Sequence, residues 1–498
     1  MYFENLVSNL VRPSSQTTYS KMMSRFFLTG LLLFASLSTV FSQQFLVTPY
    51  IQPGDAHDLK HEQKVLVWQT DSVSGKFFVA FKKGKSIFDA LHTLHQAKIT
   101  KTKLELNGNV SWLYRAHFDH LDFDHDYAYT VKVEDRLMAR GNFRTRTHHH
   151  ETKFAVFGDC GTASPGQSAV AFQVYQKKPD FVLLTGDQVY TSGLEIEFRK
   201  RFFPQYAAAA ASKTRGAPLM QSVPFYLTLG NHDVKGSNLR EYPDGMAYFY
   251  YTDLPRNGPK VKSTPQVDGT KDQVEDYFKN TEGRFPGTAN YSFRHGNVHV
   301  VCLDANNYVN PLDSALQKWI RKEFSHHKNE WRIVAYHHPG FNSSNAHYDY
   351  QQMRLLSPLL EELGVDLVLT GHVHNYQRSI PLKFIPEKDK SGDYRIQSSG
   401  RVNGEFILDQ KFDGKTMTKP EGIIYVTTGA GGAQLYDAEI SNKPEMWEHT
   451  PKTNWVPFTK TLISDKYSFT WVETHGHKLT LTQIDAEGAV LDQITVTR

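Results

Sequence analysis

Two alternate histidines directly after an apolar run are the residues of this chain best suited to chemistry. Residues 371–376 have the sequence Gly-His-Val-His-Asn-Tyr, and the apolar run at 365–370 before them predicts a buried strand. Imidazoles on a tight loop at a strand end are typical metal ligands. The pair His372 and His374 therefore indicates a metal site at the end of this strand.

Four further motifs also follow apolar runs and supply donor groups that a site for two metal ions needs. The candidate ligands in them are Asp159, Asp187, Tyr190, Asn231 and His337. Each motif alone has an ordinary explanation, because Asp and Asn favour turns and helix caps. As a set, they combine carboxylates, a phenol, an amide and an imidazole. Asp187 suits a bridging position, since a carboxylate offers two oxygens, and a metal pair can activate water for phosphoryl displacement.

The ligand charges are unequal across this set. Asp159 and Tyr190 are anionic oxygen donors, which favour a hard, highly charged ion such as Fe(III). Asn231, His337 and His372 are neutral donors, which favour Zn(II), Mn(II) or Fe(II). The sequence therefore predicts a pair of unlike metal ions.

The elements that must position these residues alternate between strands and helices from residue 153 onward. That alternation predicts an α/β layered core, in which ligands bind beyond the carboxyl ends of the strands. Residues 45–147 instead contain short strand-like runs separated by polar turns, which predicts a β-sandwich. The alternating tail at 467–496 predicts a terminal hairpin or small sheet, and the Gly- and Pro-containing stretch at 234–290 predicts an irregular lid or insertion.

The order of these motifs resembles that of the purple acid phosphatase group of the calcineurin-like metallophosphoesterases. The resemblance extends over most of residues 45–498, and Tyr190 is its discriminating residue, because most other metallophosphoesterases lack it. It implies a fibronectin type III-like β-sandwich domain at 45–147. It also implies an α/β metallophosphoesterase domain at 151–498, with a two-sheet core flanked by helices and a β-rich C-terminal tail.

The resemblance implies a role for each residue of the motifs. The ligands of the ferric ion would be Asp159, Asp187, Tyr190 and His374. The ligands of the divalent ion, which would be Zn, Mn or Fe, would be Asp187, Asn231, His337 and His372. The residues around the substrate would be His232 on the phosphate, Asp233 orienting it, and His347 as proton donor to the leaving group. The family often carries two adjacent histidines at the last position, where this chain has one; His338 is expected to pack beside the site or at the surface.

These assignments predict an exported acid phosphatase that hydrolyses phosphate monoesters on a dinuclear metal centre, by attack of a metal-held hydroxide. Its substrate would be a phosphorylated small molecule or a nucleotide. One alternative is a phosphodiesterase or nucleotidase on the same metal core. A second alternative is a non-catalytic exported protein whose β-sandwich binds a partner.

Residues 1–42 have the pattern of a leader with a secretory signal peptide. A positively charged flank precedes the apolar run at 26–41, and the small residues Ser36, Ser38 and Ser42 lie near a plausible cleavage point. Met22 or Met23 would be a better start for this leader than the first residue. A transmembrane anchor is the alternative, although the run is short and serine-rich for a membrane span. We therefore predict a secreted protein, periplasmic or extracellular.

The composition bears on possible partners and on redox chemistry. The net charge is only +4, which gives no electrostatic basis for binding nucleic acid or a membrane surface. The chain has two cysteines, Cys160 and Cys302, and each ends a predicted buried strand. Two cysteines do not make a disulfide framework in a chain of this size, so we expect both to be core thiols.

Overall fold

The computed structural model describes residues 43–88, 92–325, 329–436 and 458–498. The predicted leader at 1–42 lies outside these described residues. Gln44–Arg498 form one compact unit. Within the described part of the chain, no helix has the length and apolar character that crossing a membrane requires.

The N-terminal strands build two four-stranded sheets on a shared core. Their bounds are β1 Phe45–Gln52, β2 Lys64–Thr70, β3 Phe77–Lys83, β4 His95–Gln96, β5 Lys98–Leu106, β6 Asn109–Phe118, β7 Asp126–Val133 and β8 Arg136–Arg144. The strand orders are β1-β2-β6-β5 and β4-β3-β7-β8, with antiparallel neighbours. Trp68 of one sheet meets Phe77 of the other at 5.1 Å between ring centroids. The all-β region expected from the sequence is therefore a pair of packed sheets.

Two mixed sheets form the centre of the chain that follows. Their strands are β9 Glu151–Phe157, β10 Phe181–Leu184, β11 Phe225–Leu227, β12 Tyr291–His295, β13 Val298–Cys302, β14 Trp331–Ala335, β15 Leu367–Thr370, β16 Tyr376–Ser379, β19 Ile424–Thr428, β20 Thr459–Ile463, β21 Ser468–His475, β22 Lys478–Asp485 and β23 Val490–Thr497, with a separate hairpin of β17 Leu382–Pro386 and β18 Gly404–Leu408. The first sheet has the order β11-β10-β9-β21-β22-β23, and the second has the order β12-β13-β14-β15-β19-β16-β20.

Parallel pairing within these sheets brings the motif loops together. Strands β9, β10 and β11 run parallel, as do β13, β14, β15 and β19. Their apolar runs are buried throughout, as expected for parallel strands that are covered on both faces. Because parallel strands end at the same edge, the loops that follow them are neighbours.

The C-terminal strands complete the first sheet instead of forming a small sheet of their own. Strand β21 pairs antiparallel with β9, with Trp471 opposite Ala155. Strands β22 and β23 then extend the sheet outward. The alternation at 467–496 therefore predicted the strands correctly, while their place in the central sheet depends on pairing with a distant part of the chain.

The helices lie between and around the strands. Their bounds are α1 Pro165–Lys177, α2 Glu195–Glu197, α3 Phe203–Tyr206, α4 Asn231–Lys235, α5 Tyr248–Tyr251, α6 Lys271–Thr281, α7 Arg284–Gly287, α8 Ser314–Phe324 and α9 Ser357–Glu362. Helix α1 begins where the Ser164 side chain accepts the N–H of Gln167. The sequence of residues 349–363 predicts one helix leading into β15, but the structure has a 3₁₀ turn, Gln352–Leu356, followed by α9. The division falls next to Pro358, which is favoured in the first turn of a helix and disfavoured in its interior.

Residues 234–290 pack against the N-terminal sheets, which favours an insertion over a lid. The guanidinium of Arg115 donates to Asp253 at 2.6 Å, and both side chains are buried. The phenol of Tyr50 donates to the carbonyl of Tyr251 at 2.7 Å.

Both cysteines of the chain are free and fully buried, as the sequence predicted.

Candidate metal centre

The predicted ligands converge at the carboxyl edge of the two central sheets. Asp159 follows β9, Asp187 follows β10, and Asn231 follows β11. His337 follows β14, and His372 lies two residues beyond β15. The chain makes tight turns at these points, because Asp159, Asp187 and His372 all adopt positive φ, a conformation that L residues rarely adopt.

One half of the cluster is built around Tyr190. Its hydroxyl lies 3.2 Å from Oδ1 of Asp159 and 3.0 Å from Nε2 of His374. Nε2 of His374 is in turn 3.6 Å from Oδ1 of Asp159. These three side chains, with Asp187 beside them, are the set expected on the ferric side.

The other half is built around His337. Its Nε2 lies 3.0 Å from Oδ1 of Asn231 and 3.4 Å from Oδ2 of Asp187. Donor atoms of Asp159, Asp187 and His337 all lie within 4.8 Å of one another. Asp187 therefore lies where one carboxylate can contact both halves.

Backbone carbonyls fix the orientation of two of the imidazoles. Nδ1 of His337 is 2.7 Å from the carbonyl of Thr185, and Nδ1 of His374 is 2.6 Å from the carbonyl of Gln434. Each ring nitrogen that faces a carbonyl must carry a proton, so Nε2 is the nitrogen of each ring that is left to bind a cation. Such bonds outside the ligand shell are the usual way that proteins orient metal-binding histidines.

The electrostatics of the cluster show how strongly its charges interact. Burial raises the pKa of Asp159 well above its usual range. Burial opposes ionisation of Asp187 too, but His337 and His232 outweigh it and lower the pKa of that carboxyl. Burial would lower the pKa of His337, yet Asp187 and Asp159 raise it to about 9. The paired carboxylates therefore require positive charge beside them.

The remaining imidazoles of the cluster are held neutral. Burial lowers the pKa of His374 to about 4 and lowers the pKa of His372 well below its ordinary value. Nε2 of His372 is buried without a hydrogen-bond partner, as is Nδ1 of His338. Neutral imidazoles, ionisable carboxylates and unpartnered buried nitrogens together fit a site for cations.

His232 lies beside this cluster, as expected, but a different group orients it. Its Nδ1 donates to the carbonyl of Thr191 at 2.7 Å, and its Nε2 is 4.0 Å from Oδ2 of Asp187. The Asp233 carboxylate, expected to orient His232, instead accepts the backbone N–H groups of Gly230, Asp187 and Gln188 at 2.8–3.0 Å. Asp233 thus ties the loop after β10 to the loop after β11, and burial raises its pKa to about 8.

His347 reaches the rim of the cluster. Its ring centroid is 4.1 Å from that of His372, and its Nε2 is 3.0 Å from the hydroxyl of Tyr436. Tyr436 also stacks on His374, with ring centroids 4.3 Å apart and nearly parallel planes. No sequence motif marked Tyr436 as part of the site. The signal that could have found it is the glycine-rich stretch at 429–432, which ends β19 at the same sheet edge.

The two side chains that hold the Tyr190 loop were not predicted from the sequence either. The Glu197 carboxylate accepts the N–H groups of Thr191, Ser192 and Leu194, the last two at 3.1 and 3.0 Å. Arg201 donates to the carbonyl of Tyr190. No local pattern marks these two residues, because their partners are backbone groups of a loop.

Comparison with known proteins identifies relatives of this arrangement. A family model described as calcineurin-like phosphoesterase matches residues 152–376. Purple acid phosphatase 17 of Arabidopsis thaliana is 30% identical over 281 residues, which cover 53% of this chain and 75% of that protein. The phosphoenolpyruvate phosphatase of Allium cepa is 24% identical over 384 residues, which cover 74% of this chain and 67% of that protein. Purple acid phosphatase 15 of Arabidopsis thaliana is 26% identical over 247 residues, and the match spans only 41% of that relative.

Solved structures show the same fold. The purple acid phosphatase PPD1 from yellow lupin seeds superposes with a TM-score of 0.57 at 15% identity, covering 90% of this chain and 74% of that one. A structure of PhoD superposes with a TM-score of 0.54 at 15% identity, covering 91% of this chain and 88% of that one. The metallophosphoesterase domain with mixed sheets is therefore confirmed, and this chain belongs to the purple acid phosphatase-like members of the calcineurin-like phosphoesterases.

Proposed function

We propose that this protein is an exported acid phosphatase that hydrolyses phosphate monoesters on a dinuclear metal centre. The observation that carries the proposal is the convergence of predicted ligands from five strand ends on one buried cluster, with Asp187 between its two halves. The relatives named purple acid phosphatase and phosphoenolpyruvate phosphatase support the choice of a phosphate monoester.

Two sets of residues would hold the two metal ions. The ferric set is Asp159, Asp187, Tyr190 and His374, and the divalent set for Zn, Mn or Fe is Asp187, Asn231, His337 and His372. When bound, such a pair lowers the pKa of a water molecule and holds the oxygens of the phosphoryl group during in-line displacement. The fit is supported by the donor types, since anionic oxygens surround one half while neutral nitrogens and an amide surround the other.

The substrate would lie between His232 and His347. Because Thr191 holds Nδ1 of His232, its Nε2 faces the cluster and can hydrogen-bond a phosphoryl oxygen. His347 lies against His372 and bonds to Tyr436, so it is placed to pass a proton to the leaving-group oxygen. Asp233 would hold together the loops that follow β10 and β11, instead of orienting the His232 ring.

Two broader features belong to the same proposal. The leader at 1–42 would export the protein, as a secretory signal peptide. The two packed sheets at 45–147 would be a fibronectin type III-like domain, and 151–498 would be the catalytic domain with its β-rich tail. The substrate would be a phosphorylated small molecule, without nucleic-acid or membrane partners.

A pair of matched substitutions, one on each side of β10, tests the metal mechanism. Asp187→Asn removes the bridging charge after the strand, while Asp180→Asn changes a carboxyl at the strand's other end, where it accepts the N–H of Lys153. We expect Asp187→Asn to lower kcat/KM for a monoester by more than the roughly 100-fold that loss of a partner outside the ligand shell produces. Asp180→Asn should retain activity.

The same assay separates the phosphatase from a diesterase. The metal-loaded protein should hydrolyse a phosphate monoester faster than the diester with the same leaving group. A faster diester reaction would replace the monoesterase proposal. Full activity of Asp187→Asn would overturn the dinuclear mechanism itself.

A further inference from the structure

His338 lies inside the cluster, although the sequence predicted for it only packing beside the site or a surface position. It follows His337 directly after β14, and its side chain is only 2% exposed. Its ring centroid is 4.2 Å from that of His372 and 5.0 Å from that of His337. Two successive histidines therefore both point toward the divalent half of the site.

The nitrogens of these three rings lie close enough together to converge on one ion. One donor nitrogen from each of His337, His338 and His372 lies within 4.8 Å of the other two. Three nitrogens that bind one zinc ion at about 2.1 Å with near-tetrahedral angles are about 3.4 Å apart. The three donors therefore need to approach one another by about 1.4 Å at most.

Nδ1 of His338 is the nitrogen that is open to a ligand. It is buried and has no hydrogen-bond partner, so no protein group occupies its lone pair or accepts a proton from it. A buried acceptor without a partner is unfavourable unless a ligand occupies the space in front of it.

We propose that His338 is a third imidazole ligand of the divalent metal ion, in addition to His337 and His372. The ion would then be held by three imidazoles, the amide of Asn231 and the bridging Asp187. Imidazole ligands suit zinc and iron, whereas Mn(II) prefers oxygen donors. The additional ring therefore biases the divalent half of this centre toward zinc over manganese. This inference rests on the dinuclear centre of the proposed function.

The direct test is zinc X-ray absorption on the iron–zinc protein, which counts the imidazoles on zinc without reference to activity. We expect three imidazoles in the native protein and two in His338→Ala. The matched control is His347→Ala, because His347 also contacts the His372 ring but is not one of the three clustered donors. That variant should keep three.

A competition experiment provides the second measurement. With a chelator as competitor, we expect His338→Ala to weaken zinc binding by at least about 10-fold, with a smaller loss for manganese. Two imidazoles in the native protein, or an unchanged ratio of zinc to manganese affinity, would overturn the proposal. If zinc binds with two imidazoles and the monoesterase is active, only the role of His338 fails. If no metal binds, the proposed function fails with it.

Discussion

Tyr190 is the residue that makes the two halves of the centre chemically different. Burial, together with Asp187 and Asp159, raises the pKa of its phenol well above the ordinary value. A phenolate at this position therefore requires a strong Lewis acid beside it, and a bound cation reverses the pKa shift that burial produces. The ferric assignment is therefore the one that most directly depends on this side chain.

Tyr190→Phe tests that assignment while keeping the ring that lies 4.5 Å from the His232 ring. If Tyr190 binds iron, the native protein should be purple from the phenolate–iron bond; we expect the variant to lack that colour and to bind iron at least roughly 10-fold more weakly. The zinc content should remain. Iron analysis with a visible spectrum measures both effects.

The control for this variant is Tyr436→Phe, which removes the hydroxyl that bonds His347 but leaves the Tyr190 phenol intact. It should keep the colour and the iron. A purple Tyr190→Phe protein would show that the phenol is not a ligand.

The sequence predicts most of this candidate centre because each proposed ligand is local to its own strand end. Asp159, Asp187 and Asn231 each stand directly after an apolar run, so their position at the edge of the sheet follows from the pattern. Tyr436 and the free Nδ1 of His338 could not be predicted in this way. Their roles depend on the distance between loops that are far apart in the chain.

At the scale of elements, the loop between β10 and α2 controls two functional side chains. It carries Tyr190 near its middle, and the carbonyl of the next residue, Thr191, holds His232. Glu197, at the end of α2, accepts three backbone N–H groups of this loop, and Arg201 in the π-helical turn Phe198–Phe202 donates to the carbonyl of Tyr190. A carboxylate that accepts several N–H groups is a strong local restraint.

Glu197→Ala should therefore displace the loop and affect chemistry more than substrate binding. We expect kcat to fall about 10- to 100-fold, with a smaller change in KM, because both side chains that the loop orients lose their positions. In the iron-loaded protein, the visible band that the proposed iron–tyrosine bond would give should shift as well. Steady-state kinetics and the spectrum of the same sample measure the two effects.

Glu197→Gln is the matched variant, since its amide oxygen still accepts an N–H group. It should restore part of kcat and the native position of the band. A Glu197→Ala protein with reduced thermal stability but native kcat and spectrum would show that Glu197 serves only folding.

The pairing of strands that are far apart in the chain is the part of the fold that sequence patterns could not predict. The tail strands were recognisable by their alternation, yet β21 pairs with β9 from more than 300 positions away. Local periodicity defines a strand and its buried face but not its neighbour. The break in the helix predicted at 349–363, by contrast, has a local signal in Pro358, which the prediction of one continuous helix did not take into account.

At the scale of the whole molecule, buried charges join the N-terminal sheets to the catalytic part. Glu62 accepts from the Arg146 guanidinium at 2.7 Å and from Lys64, and all three side chains are at most 1% exposed. The other end of the Arg146 guanidinium donates to the carbonyl of Arg294 in β12 at 3.1 Å. Both parts therefore contribute to one network, which agrees with the single compact unit of Gln44–Arg498.

Glu62→Gln should destabilise the whole unit, because it leaves two buried cations without their shared anion. Removing one partner of a buried ion pair destabilises a protein by about 3–5 kcal/mol, which urea denaturation of native and variant protein would measure. Glu487→Gln is the control, since its pair with Lys213 is exposed and an exposed pair contributes at most about 1 kcal/mol. A loss below 1 kcal/mol for Glu62→Gln would show that the network does not hold the two parts together.

The acid limb of the stability profile gives an independent check on the same network. Burial opposes ionisation of Glu62, but Lys64 and Arg146 outweigh it and lower the pKa of the carboxyl in the folded protein. A lowered folded pKa stabilises the protein above the unfolded value of about 4.3, and this stabilisation disappears as the pH falls through the folded pKa. The stability difference between native protein and Glu62→Gln should therefore be constant near neutral pH and shrink below about pH 4. A difference that stays constant into strong acid would mean that Glu62 is not ionised in the folded protein.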